Sequence, residues 1–246
     1  MTSRVLAMRA TAGATWDQTR SEISRNALSI GVAVATYGVS FGALGTTTGL
    51  SVLQTCALSI LMFTGGSQFA LVSTIASGGS GFSAAMAAIL LGTRNTAYSM
   101  RMTPILKAKG AKRLLASHWT IDESTAMGLA QDETTFEGKA SRFAFWSTGL
   151  SVFVLWNLAT LIGALAANSI GDPKALGLDA AISAGLFALV YPQIKNKGQL
   201  VVALGGALVA LSLASFVMPG IPIIASSIVA FIAGYIFTNR PGGENK

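Results

Sequence analysis

Thr64-Gly65-Gly66-Ser67-Gln68 interrupts an apolar stretch over residues 50–76. Leu58-Ser59-Ile60-Leu61-Met62-Phe63 precedes it and Phe69-Ala70-Leu71-Val72 follows, and both flanks suit lipid. A backbone broken at membrane depth must line a cavity or be buried in protein, because hydrocarbon cannot satisfy freed N–H and C=O groups. Transporters use broken helices to bind solutes near the midplane, with half-helix N-termini facing anions and unwound carbonyls facing cations. Gly65, Gly66, Ser67 and Gln68 are therefore read as a non-helical, substrate-contacting element. The structural alternative is a small-residue patch that lets two helices approach closely.

Outward from this break, the chain stays short of charge. It is 52% hydrophobic and 11% charged, against roughly 25% charged in soluble domains. Apolar segments at 27–45, 82–104, 143–167, 178–194, 199–217 and 220–238 join 50–76, each near the ~20 residues a crossing needs. The expected fold is an all-α polytopic membrane protein of seven apolar segments, one of them broken or re-entrant. A basic segment 1–26 leads into one transmembrane transporter domain, 27–238, with a polar and amphipathic centre at 105–142 and a tail at 239–246. No soluble enzyme core fits, and no catalytic residue is assigned. Residues 1–26 lack the short apolar core and small-residue site of a cleavable signal. Cys56 and His118 are each alone of their kind, which argues against disulfides, metal sites and a metal cofactor. A Ser80/His118 protease dyad fails because both residues fall in polar connections. No Gly-rich loop with a following Lys-Ser/Thr pair offers an ATP site.

The net charge of +7 is a topological signal. Arg and Lys near span ends favour the cytoplasmic side. Arg142, Lys195, Lys197, Arg240 and Lys246 place the second half cleanly from an inside start, with Gly171-Asp172-Pro173-Lys174 outside. The first half conflicts. Arg4, Arg9, Arg20 and Arg25 precede the first span, while Lys107, Lys109, Lys112, Arg113, Lys139 and Arg142 fill the centre. Both groups belong inside, yet three segments separate them. Either 50–76 is re-entrant, or the N-terminus lies outside against its charge. The second option suits a 3+3 inverted repeat plus a last helix, with Gly42-Ala43-Leu44 aligned on Gly163-Ala164-Leu165. Ser51-Val52-Leu53-Gln54 reads as a capping box opening the second segment. Pro219-Gly220-Ile221-Pro222 leaves the last two spans almost no loop. Ile105, Leu106, Leu114 and Leu115, set among cations, suit a helix lying on the inner leaflet.

Arg94 sits near the centre of segment 82–104, with Asn95 beside it and Tyr98 one turn on. A charge at that depth costs roughly 2.5–3.5 kcal/mol on insertion scales and marks a function by default. Every acid lies outside the apolar cores, Asp179 falling at the edge of 178–194. The counter-charge is then a set of helix C-terminal carbonyls, a folded-in loop acid, or a substrate carboxylate, which guanidinium grips with two parallel hydrogen bonds. The last assignment makes Arg94, Asn95 and Tyr98 substrate-binding residues. The ammonium would rest on carbonyls near 63–65 and the side chain against Phe69 and Met62. Bracing through backbone carbonyls is the competing role for Arg94. Thr120-Ile121-Asp122-Glu123 fits a capping box opening a helix through Leu129, and the same Asp122 and Glu123 are candidates for coupling.

With these residues in place, the chain resembles the AzlC family, the large subunit of branched-chain amino acid exporters. The resemblance covers roughly residues 25–238. It is carried by Phe41-Gly42, Gly49-Leu50-Ser51, Phe63-Thr64-Gly65-Gly66-Ser67-Gln68-Phe69, Arg94 with Tyr98, and Asp122-Glu123. One departure is Gly92-Thr93-Arg94-Asn95, where the family has Asn two residues before the Arg. The resemblance implies export of Val, Leu, Ile or Met across the cell membrane with a small AzlD-type membrane subunit. A passive channel, or a transporter of another small metabolite, would share the same broken helix.

Overall fold

The computed structural model describes residues 15–131, 135–169 and 196–217, with isolated positions between 187 and 194 and between 221 and 233. Segment 178–194, most of 220–238, the connection at 171–174 and the first half of the 219–222 turn lie outside the described residues. Within them every regular element is helical: α1 (Trp16–Thr47), α2 (Val52–Leu61), α3 (Gly66–Ala76), α4 (Gly81–Gly92), α5 (Arg94–Leu106), α6 (Ala111–His118), α7 (Asp122–Leu129), α8 (Lys139–Asn168) and α9 (Lys197–Ala214). A short turn at Thr135–Gly138 precedes α8. Three stretches are long and apolar enough to cross a membrane: Trp16–Thr47, Phe136–Asn168 and Lys197–Ala214.

The spine is the α1–α8 pair. Thr15 and Gln18 cap α1 reciprocally. At its other end the hydroxyls of Thr46, Thr47 and Thr48 return to carbonyls one turn back, and Gly49 turns the chain at φ +97°. Gly31 faces Ser151, Gly38 faces Trp156 and Ala159, Gly42 faces Thr160 and Ala164, and Gly163 faces Val39. A Cβ at Gly42 or Gly163 would run into the partner's backbone carbonyl. Glycine is required there because, without a hydrophobic drive between helices in lipid, close backbone contact supplies the attraction. Positions rise together along both helices, so α1 and α8 run parallel. That overturns the inverted relation between 27–45 and 143–167, since an axis in the membrane plane would set them antiparallel. The two Gly-Ala-Leu triplets sit side by side as a packing seam.

Helices α2 to α7 fill this frame from its two ends. α2 opens on the expected Ser51–Gln54 capping box. It descends from Thr55 against Gly45, through a Ser59–Thr160 hydrogen bond of 3.3 Å, to Phe63 against Phe153 at mid-height of α8. α3 then turns back: Phe69 meets Phe41 and Trp156, and Val72 joins the same core as Leu44. Residues 50–76 thus form a helical hairpin that reaches the middle and returns.

α4 runs antiparallel to α3, and α5 carries the chain on to Met102, Ile105 and Leu106, packed on Phe145. α6 and α7 make a second hairpin from the opposite end. Ala116 packs near Phe145, His118 reaches Phe63 and Phe153, and Met127 returns to Ile23 and Ala144. Segment 105–117 is therefore not a helix laid wholly along the surface. Leu114 and Leu115 are exposed, but Ile105, Leu106 and Ala116 are buried. His118 likewise sits among aromatic rings at a hairpin tip, not in an outer connection.

Charge divides by end. Arg20, Arg25, Lys107, Lys112, Lys139 and Arg142 all belong to the end where α1 and α8 begin. There Lys139 Nζ lies 4.2 Å from the Trp16 ring centroid and Lys112 Nζ 5.4 Å from that of Trp146. Among the described residues, the opposite end draws on 26–93 and 143–169, which contain no Asp, Glu, Lys or Arg.

Candidate functional site

The break after α2 falls at residues 62–65, earlier than 65–68. Gly65 adopts φ +59° and ψ −86°, a conformation closed to most side-chain-bearing residues. Its N–H donates to Gln68 Oε1 at 3.0 Å, so the helix restarts at Gly66. Gly66, Ser67 and Gln68 are thus the first turn of α3, not an unwound strand. Gln68 is fully buried, and its Nε2 donates to the Leu58 carbonyl at 3.4 Å. It closes the hairpin and has no free face for a ligand.

Segment 82–104 is also broken, at Thr93. Thr93 N and Oγ1 both donate to the Leu90 carbonyl, at 3.3 and 2.7 Å. This double use interrupts the i→i−4 ladder, a common way for threonine to bend a helix. Arg94 becomes the first residue of α5 instead of a mid-helix charge. The two breaks face one another. A Cβ at Gly66 would lie 3.1 Å from Arg94 Nη2, and one at Gly92 would lie 3.3 Å from Ser67 Oγ.

Arg94 has an acidic partner after all. Its Nη1 lies 2.9 Å from Asp122 Oδ2, the spacing of a strong charge-assisted hydrogen bond. Its Nη2 donates to the Thr64 carbonyl at 3.4 Å. One side chain thus touches the tips of both hairpins. The acid was invisible among apolar segments because it arrives on α7, a helix of eight residues too short and polar to read as membrane-inserted. Ile121, with Ser124 Oγ accepting from its N–H, caps that helix. Thr120 instead donates to the Ala116 carbonyl, so the expected Thr120 cap is not made. Both Asp122 and Glu123 stand in the first turn, where the helix dipole favours negative charge.

Around the ion pair, buried polar atoms lack protein partners: Thr64 Oγ1, Ser67 Oγ, Arg94 Nε and Asp122 Oδ1. Buried polar groups in folded proteins are almost always paired, so such a cluster calls for an explanation. The Arg94 and Asp122 side chains are 36% and 29% exposed, which leaves the pair reachable. Tyr98 and Glu123 are half-buried beside it: the Tyr98 hydroxyl hydrogen-bonds the Asp122 carboxylate, and Glu123 lies within electrostatic range of both charges. Of the residues expected from sequence, Gly66, Ser67, Arg94, Tyr98, Asp122 and Glu123 converge, Asn95 follows Arg94 in the first turn of α5, and Gly65 and Gln68 shape the hairpin behind them. Phe69 is fully buried against Phe41 and Trp156, away from the cluster, and the Thr64 carbonyl is occupied by Arg94. The pocket for an apolar side chain is therefore not at Phe69. Thr64, which heads the break in the sequence, gives its carbonyl to Arg94, whereas Thr93 was not foreseen, although a hydroxyl directly before a deep arginine was the signal available.

The family model described as AzlC protein matches residues 29–170, more than half of the chain. That interval contains both hairpins, both breaks and the ion pair. No curated protein and no solved structure matches.

Proposed function

Because the chain belongs to the AzlC family, we propose that it is a secondary transporter exporting the branched-chain amino acids Val, Leu and Ile, with unbranched Met as a candidate further substrate, across the cytoplasmic membrane. It works as the large subunit beside a small AzlD-type membrane subunit. The observation that carries this reading is Arg94, placed at a helix break between two hairpin tips and ringed by unpartnered polar atoms. A bidentate guanidinium with hydroxyls at its side suits an α-carboxylate. The N-terminus of α3 at Gly66 adds N–H groups aimed the same way.

In this topology α1, α4–α5 and α8 cross the bilayer. The α2–α3 hairpin enters from outside and α6–α7 from the cytoplasm. Both basic starts then lie inside, which removes the charge conflict. Broken backbone stays in the protein interior, as lipid demands.

Leucine counterflow in proteoliposomes, with and without the small subunit, tests the reading. Expected is counterflow that requires both chains and falls in Arg94→Lys, which keeps the charge but loses the fork. The Arg94→Ala variant should lose on the order of 1.5–3 kcal/mol of substrate affinity. Downhill flux without counterflow would make the protein a channel instead. Unaltered leucine affinity in folded Arg94→Lys would remove Arg94 from the carboxylate site.

A further inference from the structure

We propose that the substrate zwitterion inserts between Arg94 and Asp122, so that Asp122 is the ammonium-binding residue and the ion pair is a closed form of the empty site. This rests on the assignment of the carboxylate to Arg94. Three observations carry the step from one residue to two. The pair is direct, at 2.9 Å. Each member keeps one buried polar atom unused, Arg94 Nε as a donor and Asp122 Oδ1 as an acceptor. Two further unpartnered atoms, the hydroxyls of Thr64 and Ser67, can each donate or accept.

An α-amino acid carries its carboxylate and ammonium on one carbon. Placed between Arg94 and Asp122, it replaces one ion pair by two and leaves no charge unmatched. A monocarboxylate of the same shape would take Arg94 and strand Asp122, and an amine would strand Arg94. Both side chains are partly exposed, so the pair disfavours the single-charge analogues through the ion pair each breaks without replacing it, while the zwitterion replaces one pair by two. Arg94 opens α5 and Asp122 opens α7, at the tip of the α6–α7 hairpin. Insertion must therefore move that tip away from α5. Binding and hairpin displacement become one event, with Arg94 still able to hold the Thr64 carbonyl of the other hairpin.

The test is binding of leucine, 4-methylpentanoate and 3-methylbutylamine to the full chain together with its small subunit in lipid nanodiscs, wild type against Asp122→Asn. Wild type should bind leucine and neither analogue. Asp122→Asn should bind leucine about ten- to a hundredfold more weakly and no longer prefer it to 4-methylpentanoate. An Asp122→Asn protein that keeps the wild-type preference overturns the inference and leaves the exporter reading standing. Absence of leucine binding to wild type sinks both. Independently of that variant's folding, spin labels at exposed Thr96 and Ala126, in a Cys56→Ala background, should move apart when leucine is added. An unchanged or shorter separation also overturns the inference.

Discussion

Gly66 shows how little room the centre leaves at the scale of one residue. Its missing Cβ would lie 3.1 Å from Arg94 Nη2 and 3.4 Å from Leu91 Cδ2. Gly66→Leu should push the guanidinium off the Thr64 carbonyl and Asp122, abolishing transport while the protein still inserts. Uptake or counterflow assays on membranes with normal amounts of the variant check this, and wild-type rates would show that the guanidinium position is unimportant. Arg94 itself was legible from sequence as a deep cation in need of a counter-charge. Its partner was not, because proximity between residues 94 and 122 is a tertiary fact.

At the scale of the element, the α2–α3 hairpin depends on one amide side chain. Gln68 holds the Gly65 N–H and the Leu58 carbonyl, so it satisfies backbone groups on both arms of the turn. Losing a cap of this kind costs typically about 1 kcal/mol, and each buried group left unpaired adds about 1–3 kcal/mol. Gln68→Ala should therefore lower the melting temperature of the detergent-purified protein and reduce transport through the displaced tip. A variant with unchanged melting and reduced leucine affinity would instead make Gln68 a ligand. The break itself was visible in the two adjacent glycines, but its register was not. The Gln68 side chain reaches back to Gly65 and pulls Gly66 into the helix, a decision made by one hydrogen bond.

For the whole molecule, the parallel α1–α8 pair sets the orientation. Both helices begin at the basic end, so residues near Lys109 should face the cytoplasm and residues near Gly79 the outside. Single cysteines at these two positions, in the Cys56→Ala background, should react with a membrane-impermeant maleimide from opposite sides of intact cells. Labelling of both from one side would refute the two-hairpin topology. Close packing is testable at the same scale: Gly42→Leu would drive a side chain into the Thr160 carbonyl and should abolish stable insertion. Recovery of normal amounts of folded Gly42→Leu would show that the seam is not tightly packed.

Local composition determined the membrane class, the deep arginine, the glycine break and the caps at Ser51, because each depends on solvent preference or on hydrogen bonds within a few residues. Family membership followed from the same local motifs in order. Only the tertiary structure decided that 50–76 turns back, that 82–104 bends at Thr93, and that α7 carries Asp122 to Arg94. Hydrophobicity reports where a segment is comfortable, not its direction, so a hairpin and a crossing of similar composition read alike. Direction is set by contacts between distant residues, Gly42 on Thr160, Phe69 on Trp156 and Gly128 on Met102. Those contacts exist only once the helices have packed.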